Sequence, residues 1–186
     1  SARSQRNTNF GIKNSPQKPQ ANGRNALPRP SHHKTIAMDS TEKQKKYENL
    51  IEQVKAFAES EHDEIALMAN VAAIIQETFH FWWTGFYRVV GQELVLGPFQ
   101  GPVACTRIKF GRGVCGTAWK EKRTIVVEDV EEFPGHIACS SASRSEIVVP
   151  IIRDGEVVAE LDIDSEKLAT FDEIDKKYLE ILTHHI

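Results

Sequence analysis

The chain has 186 residues, 40% of them hydrophobic and 26% charged, which fits one soluble domain of ordinary size. No apolar run approaches the roughly 20 residues that span a bilayer, so no membrane segment is expected. Residues 1–38 hold seven Lys or Arg and no acid, leaving 16 basic against 26 acidic residues in the remainder; a body this acidic lacks the clustered cations that phosphate contacts require, which argues against nucleic acid as a partner.

Residues 1–38 are rich in Asn, Gln, Ser, Pro and Arg. Such a segment cannot bury enough apolar surface to offset its ordering entropy, so disorder is expected there and a single domain over residues 39–186. Its freedom from acid resembles an organelle transit segment, yet it lacks a convincing amphipathic helix. An appended leader ahead of a native start at Met38 accounts for the same composition. His32 and His33 are read as linker residues.

From Thr41 the pattern turns helical: Thr41 to Gln44 fits a capping box, and Tyr47, Leu50, Ile51, Val54 and Phe57 recur at helical spacing. A second helix, capped by Asp63, carries Leu67, Met68, Val71, Ile74, Ile75 and Phe79 as its apolar stripe. Aromatic and β-branched residues from Trp82 to Val90 read as a strand, turned by Gly91-Gln92 into a partner over Glu93 to Leu96. Alternation places Trp83, Gly85 and Tyr87 on one face, and Trp82, Thr84, Phe86 and Arg88 on the other. A glycine-rich loop over Gly111 to Gly116 enters a short helix, Val114 to Glu121, followed by a short strand at Thr124 to Val127. Phe133 to Ser145 is irregular, and long loops inside compact domains usually carry function. Ile147 to Ile152 and Glu156 to Ile163 form a hairpin about Asp154-Gly155, with Glu160, Asp162 and Asp164 on one face of its second strand. A last helix spans Phe171 to His184. The expected class is α+β: a central antiparallel sheet with helices packed on one face and loops covering the other.

All three cysteines, Cys105, Cys115 and Cys139, lie in the stretch that ends in those acids. An odd count without dense spacing is a poor disulfide framework, so a reducing compartment, and cytoplasmic residence, is expected unless the basic leader directs import. Thiols beside carboxylates suit redox chemistry or a small cation. Zinc on His136, Cys139, Cys105 and Cys115 is disfavoured because no close cysteine pair such as C-x-x-C occurs, and no metal is expected. From the residues alone, Glu146, Asp162 and Asp164 fit a solvated acidic face on an edge strand as well as they fit a site. Trp83 and Tyr87 are more often core than pocket. Cys115 opens a helix, where free N–H groups favour a thiolate, so local physics selects it as the attacking thiol.

Phe-Gly-Arg-Gly-Val-Cys-Gly-Thr-Ala-Trp at 110–119, the strand about Val148 to Ile151 and the Asp154-Gly155 turn resemble a GAF domain. Five further blocks are more specific: Trp-Trp-Thr-Gly-Phe-Tyr at 82–87, Gly-Pro-Phe-Gln-Gly at 97–101, His-Ile-Ala-Cys-Ser at 136–140, Ser-Arg-Ser-Glu-Ile-Val-Val-Pro at 143–150 and Leu-Asp-Ile-Asp-Ser at 161–165. Together they resemble the free methionine-(R)-sulfoxide reductases, in order from about Tyr47 to the C-terminus. The resemblance implies a GAF-like sheet whose active-site face is covered by loops. It implies thiol-dependent reduction of free methionine (R)-sulfoxide, without a cofactor, through a cysteine sulfenic acid and an intramolecular disulfide recycled by a thioredoxin-type reductant, as a repair of oxidative damage. Cys139 stands at the nucleophile's position, contrary to the helix-start argument. Cys105 and Cys115 stand where the resolving thiol is drawn from, with Cys105–Cys139 as the implied pair and Cys115 in reserve. Glu146, Asp162 and Asp164 match carboxylates that hold the substrate ammonium and act near the sulfoxide oxygen, and Trp83 and Tyr87 match the aromatic wall. The alternative is a non-catalytic GAF sensor of a small molecule. Exposed helical faces would allow a homodimer.

Overall fold

Two hairpins make the sheet. The structure is a computed structural model, and it describes residues 39–135 and 141–186; the expected leader, His136 and Cys139 lie outside the described residues. Strand β1 (Trp83–Val90) pairs antiparallel with β2 (Glu93–Gln100) across a turn in which Gly91 takes φ 64°. Strands β5 (Ser145–Arg153) and β6 (Glu156–Ser165) pair through Asp154 and Gly155 at φ 52° and 79°, the left-handed pair that an Asp-Gly hairpin turn needs. β6 also pairs antiparallel with β1, and the short strands β3 (Arg107–Lys109) and β4 (Ile125–Val127) close the two edges. The order is β3-β2-β1-β6-β5-β4.

Three helices, α1 (Ser40–Ser60), α2 (Glu64–Phe79) and α4, fill one face, with α4 at Glu173–Thr183. Their stripes meet Phe86, Ile147, Val149, Ile151, Ala159, Leu161 and Ile163 in one core. Burying each such side chain contributes about 1.5–3 kcal/mol, so this face carries most of the stability. α2 is capped as expected, the Asp63 carboxylate accepting from the Ala66 amide at 2.9 Å. α1 is not: its N-cap is Asp39, no side chain caps it, and Phe57 at the end of the expected stripe is exposed. The cap is dispensable because Tyr47, Leu50 and Val54 are fully buried and anchor the helix from its packed side. α4 begins with a capping box formed by Asp172 and Asp175.

The opposite face carries α3 (Gly113–Glu121) and the connecting segments. Trp83, Tyr87, Leu94, Ile108, Val114, Cys115, Ala118 and Val148 form its smaller core. β6 is therefore a central strand and not an edge. Its alternate side chains divide between an apolar core and a face bearing Glu160, Asp162 and Asp164. No helix among the described residues is long and apolar enough to cross a membrane.

Candidate active site

The register of β1, β6 and β5 assembles the site. Asp164 lies opposite Trp83 on one side and Glu146 on the other, while Asp162 lies opposite Gly85 and Val148. Residues opposite and diagonal on one sheet face are neighbours, so Glu146, Asp162 and Asp164 are forced together despite their like charge. Gly85 makes room: a Cβ there would come within 2.4 Å of the Trp83 indole, which lies across it beside Asp162. The register shift between β1 and β2, where Gly85 pairs with Phe99 but Tyr87 with Leu96, puts the extra residue on β2, and the Trp83 and Tyr87 rings stay stacked with centroids 6.1 Å apart. The Trp83 indole donates to the Pro102 carbonyl at 3.0 Å, and the Tyr87 hydroxyl donates to the Cys105 carbonyl at 2.8 Å. Both bonds pin the segment that carries Cys105 to the wall of the site.

α3 lowers Cys115 onto the acids. Its seat is close because Gly116 faces the Lys109 carbonyl, where a Cβ would approach within 2.5 Å. The Cys115 Sγ donates to Asp162 Oδ2 at 3.4 Å and faces Glu146 Oε1 at 3.8 Å. Cys115 is a free thiol, 4% exposed, and Cys105 is disulfide-bonded. Cys115 lines a cavity of about 50 Å³ together with Trp82, Trp83, Tyr87, Glu146, Asp162 and Asp164, and Ser143 and Arg112 also line it.

The acids strain against one another. Burial, then the charges of Asp162, Asp164 and Glu160, push the Glu146 carboxyl well up, and the Cys115 thiol opposes this. Burial and Asp164 push Asp162 well up in the same way. Asp164 is raised by burial to about 6, moderated by a hydrogen bond from the Ser143 hydroxyl. Burial also lifts the Cys115 thiol, and Asp162, Glu146, Glu160 and Asp164 lift it further. The helix start, which favours a Cys115 thiolate, is outweighed: a helix terminus contributes about 0.3–2 kcal/mol, whereas effective desolvation of a buried ion costs several. Cys115 is a protonated donor here.

The structure thus brings Cys115, Glu146, Asp162, Asp164, Trp83 and Tyr87 to one cavity, with Cys105 on its bounding segment. Cys139 lies outside the described residues. Sequence reasoning missed Ser143 as the partner of Asp164, and the wall formed by Pro102, Val103 and Ala104. It also left Glu160 out of the site, and Glu160 does not line the cavity, although its charge acts on Glu146 and Cys115. Glu160 pairs with Tyr87 in register and is fully buried. Its place in the Glu160-Asp162-Asp164 alternation was the available signal.

Residues 61–186 match the GAF domain family, and the six-stranded antiparallel sheet with four helices is the GAF fold. The GAF domain-containing protein A of Dictyostelium discoideum is 57% identical over 138 residues, covering 74% of this chain and 87% of that protein. The free methionine-R-sulfoxide reductase of Escherichia coli is 42% identical over 134 residues, covering 72% and 81%. The X-ray structure of free methionine-R-sulfoxide reductase from Neisseria meningitidis in complex with its substrate superposes with a TM-score of 0.76 at 51% identity, covering 79% of this chain and 89% of that one. The chain belongs to the GAF-domain family and, within it, to the free methionine-R-sulfoxide reductases, and is an oxidoreductase.

Proposed function

We propose that this protein reduces free L-methionine (R)-sulfoxide to L-methionine. The observation that carries the reading is a cavity lined by the carboxyls of Glu146, Asp162 and Asp164, the first two buried and none in an ion pair among the described residues, together with the Trp83 and Tyr87 rings. Such a site suits an ammonium, which a free amino acid carries and a peptide-embedded residue lacks. Glu146, Asp162 and Asp164 bind that ammonium, and Arg112 offers a cation to the substrate carboxylate. The aromatic rings receive the methyl-sulfur end.

The thiolate of Cys139 attacks the sulfoxide sulfur while a protonated carboxyl of the cluster donates to the oxygen. The S–S bond formed by the attack then breaks as the protonated oxygen passes from the substrate sulfur to the Cys139 sulfur, so that methionine leaves, reduced by two electrons, and Cys139 is left oxidised by two electrons as a sulfenic acid. The thiol of Cys105 then condenses with it, releasing water and forming a disulfide. A thioredoxin-type dithiol returns both thiols. Support for this pairing comes from Cys105 being disulfide-bonded while Cys115 remains a free, protonated thiol.

The test is incubation of reduced protein with racemic free methionine sulfoxide and dithiothreitol, resolving the diastereomers. Consumption of the R form alone, with N-acetylated substrate turned over far more slowly, is expected. Comparable kcat/KM on the N-acetylated compound would overturn the ammonium reading. Without reductant, Cys139→Ser should release no methionine. Cys105→Ser should release about one methionine per site and stall. A full burst from Cys139→Ser would move the nucleophile to Cys115.

A further inference from the structure

The cluster that Cys115 forms with two acids has the make-up of a metal-binding set as well as a substrate pocket. The Cys115 Sγ, one Glu146 oxygen and one Asp162 oxygen all lie within 4.8 Å of one another, and all three residues are buried. The sulfur-to-oxygen separations are 3.8 Å to Glu146 and 3.4 Å to Asp162. Sulfur and oxygen ligands on one tetrahedral zinc, at bond lengths of about 2.3 and 2.0 Å, stand about 3.5 Å apart. The two sulfur-to-oxygen separations therefore match those around a tetrahedral ion.

A second observation points the same way. The other Asp162 oxygen, Oδ1, is buried and has no hydrogen-bond partner among the described residues, and Asp162 lines the cavity. Asp162 is only 6% exposed. A buried carboxylate oxygen without a donor, on a residue that lines the cavity, is a place for a cation. Neither Glu146 nor Asp162 joins an ion pair among the described residues. The three ligands come from α3, β5 and β6, elements that pack against one another and hold the donors in place.

We propose that Cys115, Glu146 and Asp162 bind one divalent cation of the zinc class, with its remaining position open to the cavity. Three protein ligands and an open fourth position form the arrangement expected of an accessible zinc site. One thiolate among the donors selects zinc, cobalt or cadmium over magnesium and calcium, which prefer an all-oxygen shell of six or more ligands. On binding, the thiol and any carboxyl still protonated lose their protons to solvent, and thiolate and two carboxylates together carry three negative charges against the ion's two. Of the histidine and cysteine set weighed from the sequence, only Cys115 takes part. Because two ligands are carboxylates assigned above to the substrate ammonium, ion and amino acid exclude each other; this consequence rests on the proposed function, whereas the metal site itself does not.

The experiment uses the disulfide-bonded protein, in which Cys115 is the free thiol, stripped of metal with a chelator and titrated with Co²⁺. One equivalent should bind and give a thiolate-to-cobalt charge-transfer band, and Zn²⁺ should displace it. Cys115→Ser should abolish the band, and Asp162→Asn should weaken affinity at least tenfold. Failure of the wild-type protein to bind cobalt stoichiometrically, or survival of the band in Cys115→Ser, overturns the site. Free L-methionine should then displace the cobalt while glycine, which chelates through the same two groups, should not. A metal site that stands but ignores methionine would overturn the shared-carboxylate reading alone.

Discussion

The two faces of the sheet each bury acid, and they treat it differently. On the helix-covered side Asp175, 1% exposed, accepts from the Tyr47 hydroxyl at 2.7 Å and from the Asp172 amide at 2.8 Å, and pairs with the Lys43 ammonium. Burial still raises its pKa, but these partners oppose the rise. On the opposite face Glu146, Glu160, Asp162 and Asp164 have no ion-pair partner among the described residues, and both Glu160 oxygens lack any hydrogen bond there. A buried carboxyl that is fully partnered ties elements together. Of the unpaired four, Glu146, Asp162 and Asp164 line the cavity, whereas Glu160 is closed off from it. Asp175 joins α1 to α4, whereas three of the unpaired acids line the cavity that the proposed function uses.

The comparison breaks if acids on the two sides respond alike to losing charge. Asp162→Asn removes a charge that the substrate ammonium needs, and kcat/KM for free methionine sulfoxide should fall by about 10²–10³, or roughly 3–4 kcal/mol. Its melting temperature should hold or rise, because one of the repelling carboxylates beside Asp164 and Glu146 has gone. A variant that melts several degrees lower with unchanged kcat/KM would place Asp162 with the structural acids.

Lys43→Met is the mirror experiment. It strands Asp175 without its cation, which costs about 2–4 kcal/mol because the Tyr47 and Asp172 hydrogen bonds remain. Thermal melting should drop by roughly 5–15 °C for a domain of this length. The kcat/KM of the folded variant, assayed well below its transition, should match wild type. A loss of turnover there would mean that the helix face communicates with the cavity.

What was legible follows local chemistry. Period-two alternation in β6 and the Asp154-Gly155 turn lie in the sequence itself, so the hairpin and its acidic face could be read directly. Whether that face met water could not, because β6 becomes central only when β1 pairs beside it, across a long sequence separation. β2 runs on to Gln100 through Gly97 and Pro98, two residues that local propensity assigns to turns. β3 has three residues with one buried, and its pairing to β2 defines it more than its composition does. The local argument for a Cys115 thiolate falls short for the same reason. Its helix start is written locally, but the acids beneath it arrive from 31 and 47 residues away and outweigh the dipole.

Glu160 sharpens the comparison with the smallest effect. Burial and the Asp162 charge hold its carboxyl well above the ordinary value of 4.5. Below that value both folded and unfolded chains carry the proton, and Glu160 adds no pH dependence. As pH rises past it, the unfolded chain ionises while the folded chain stays protonated, so stability falls until the folded carboxyl also ionises. Glu160→Gln keeps the shape, cannot ionise, and removes this slope. Its melting temperature should match wild type near pH 4 and exceed it increasingly toward pH 8. The gain there should be on the order of 1–3 kcal/mol, the usual penalty for a buried polar group without a partner. Glu146, Asp162 and Asp164 still titrate in the variant, so the difference between the two curves is the quantity to read. Melting curves across that range check it. A constant offset at every pH would show that Glu160 ionises alike in both states and that its burial imposes no electrostatic cost.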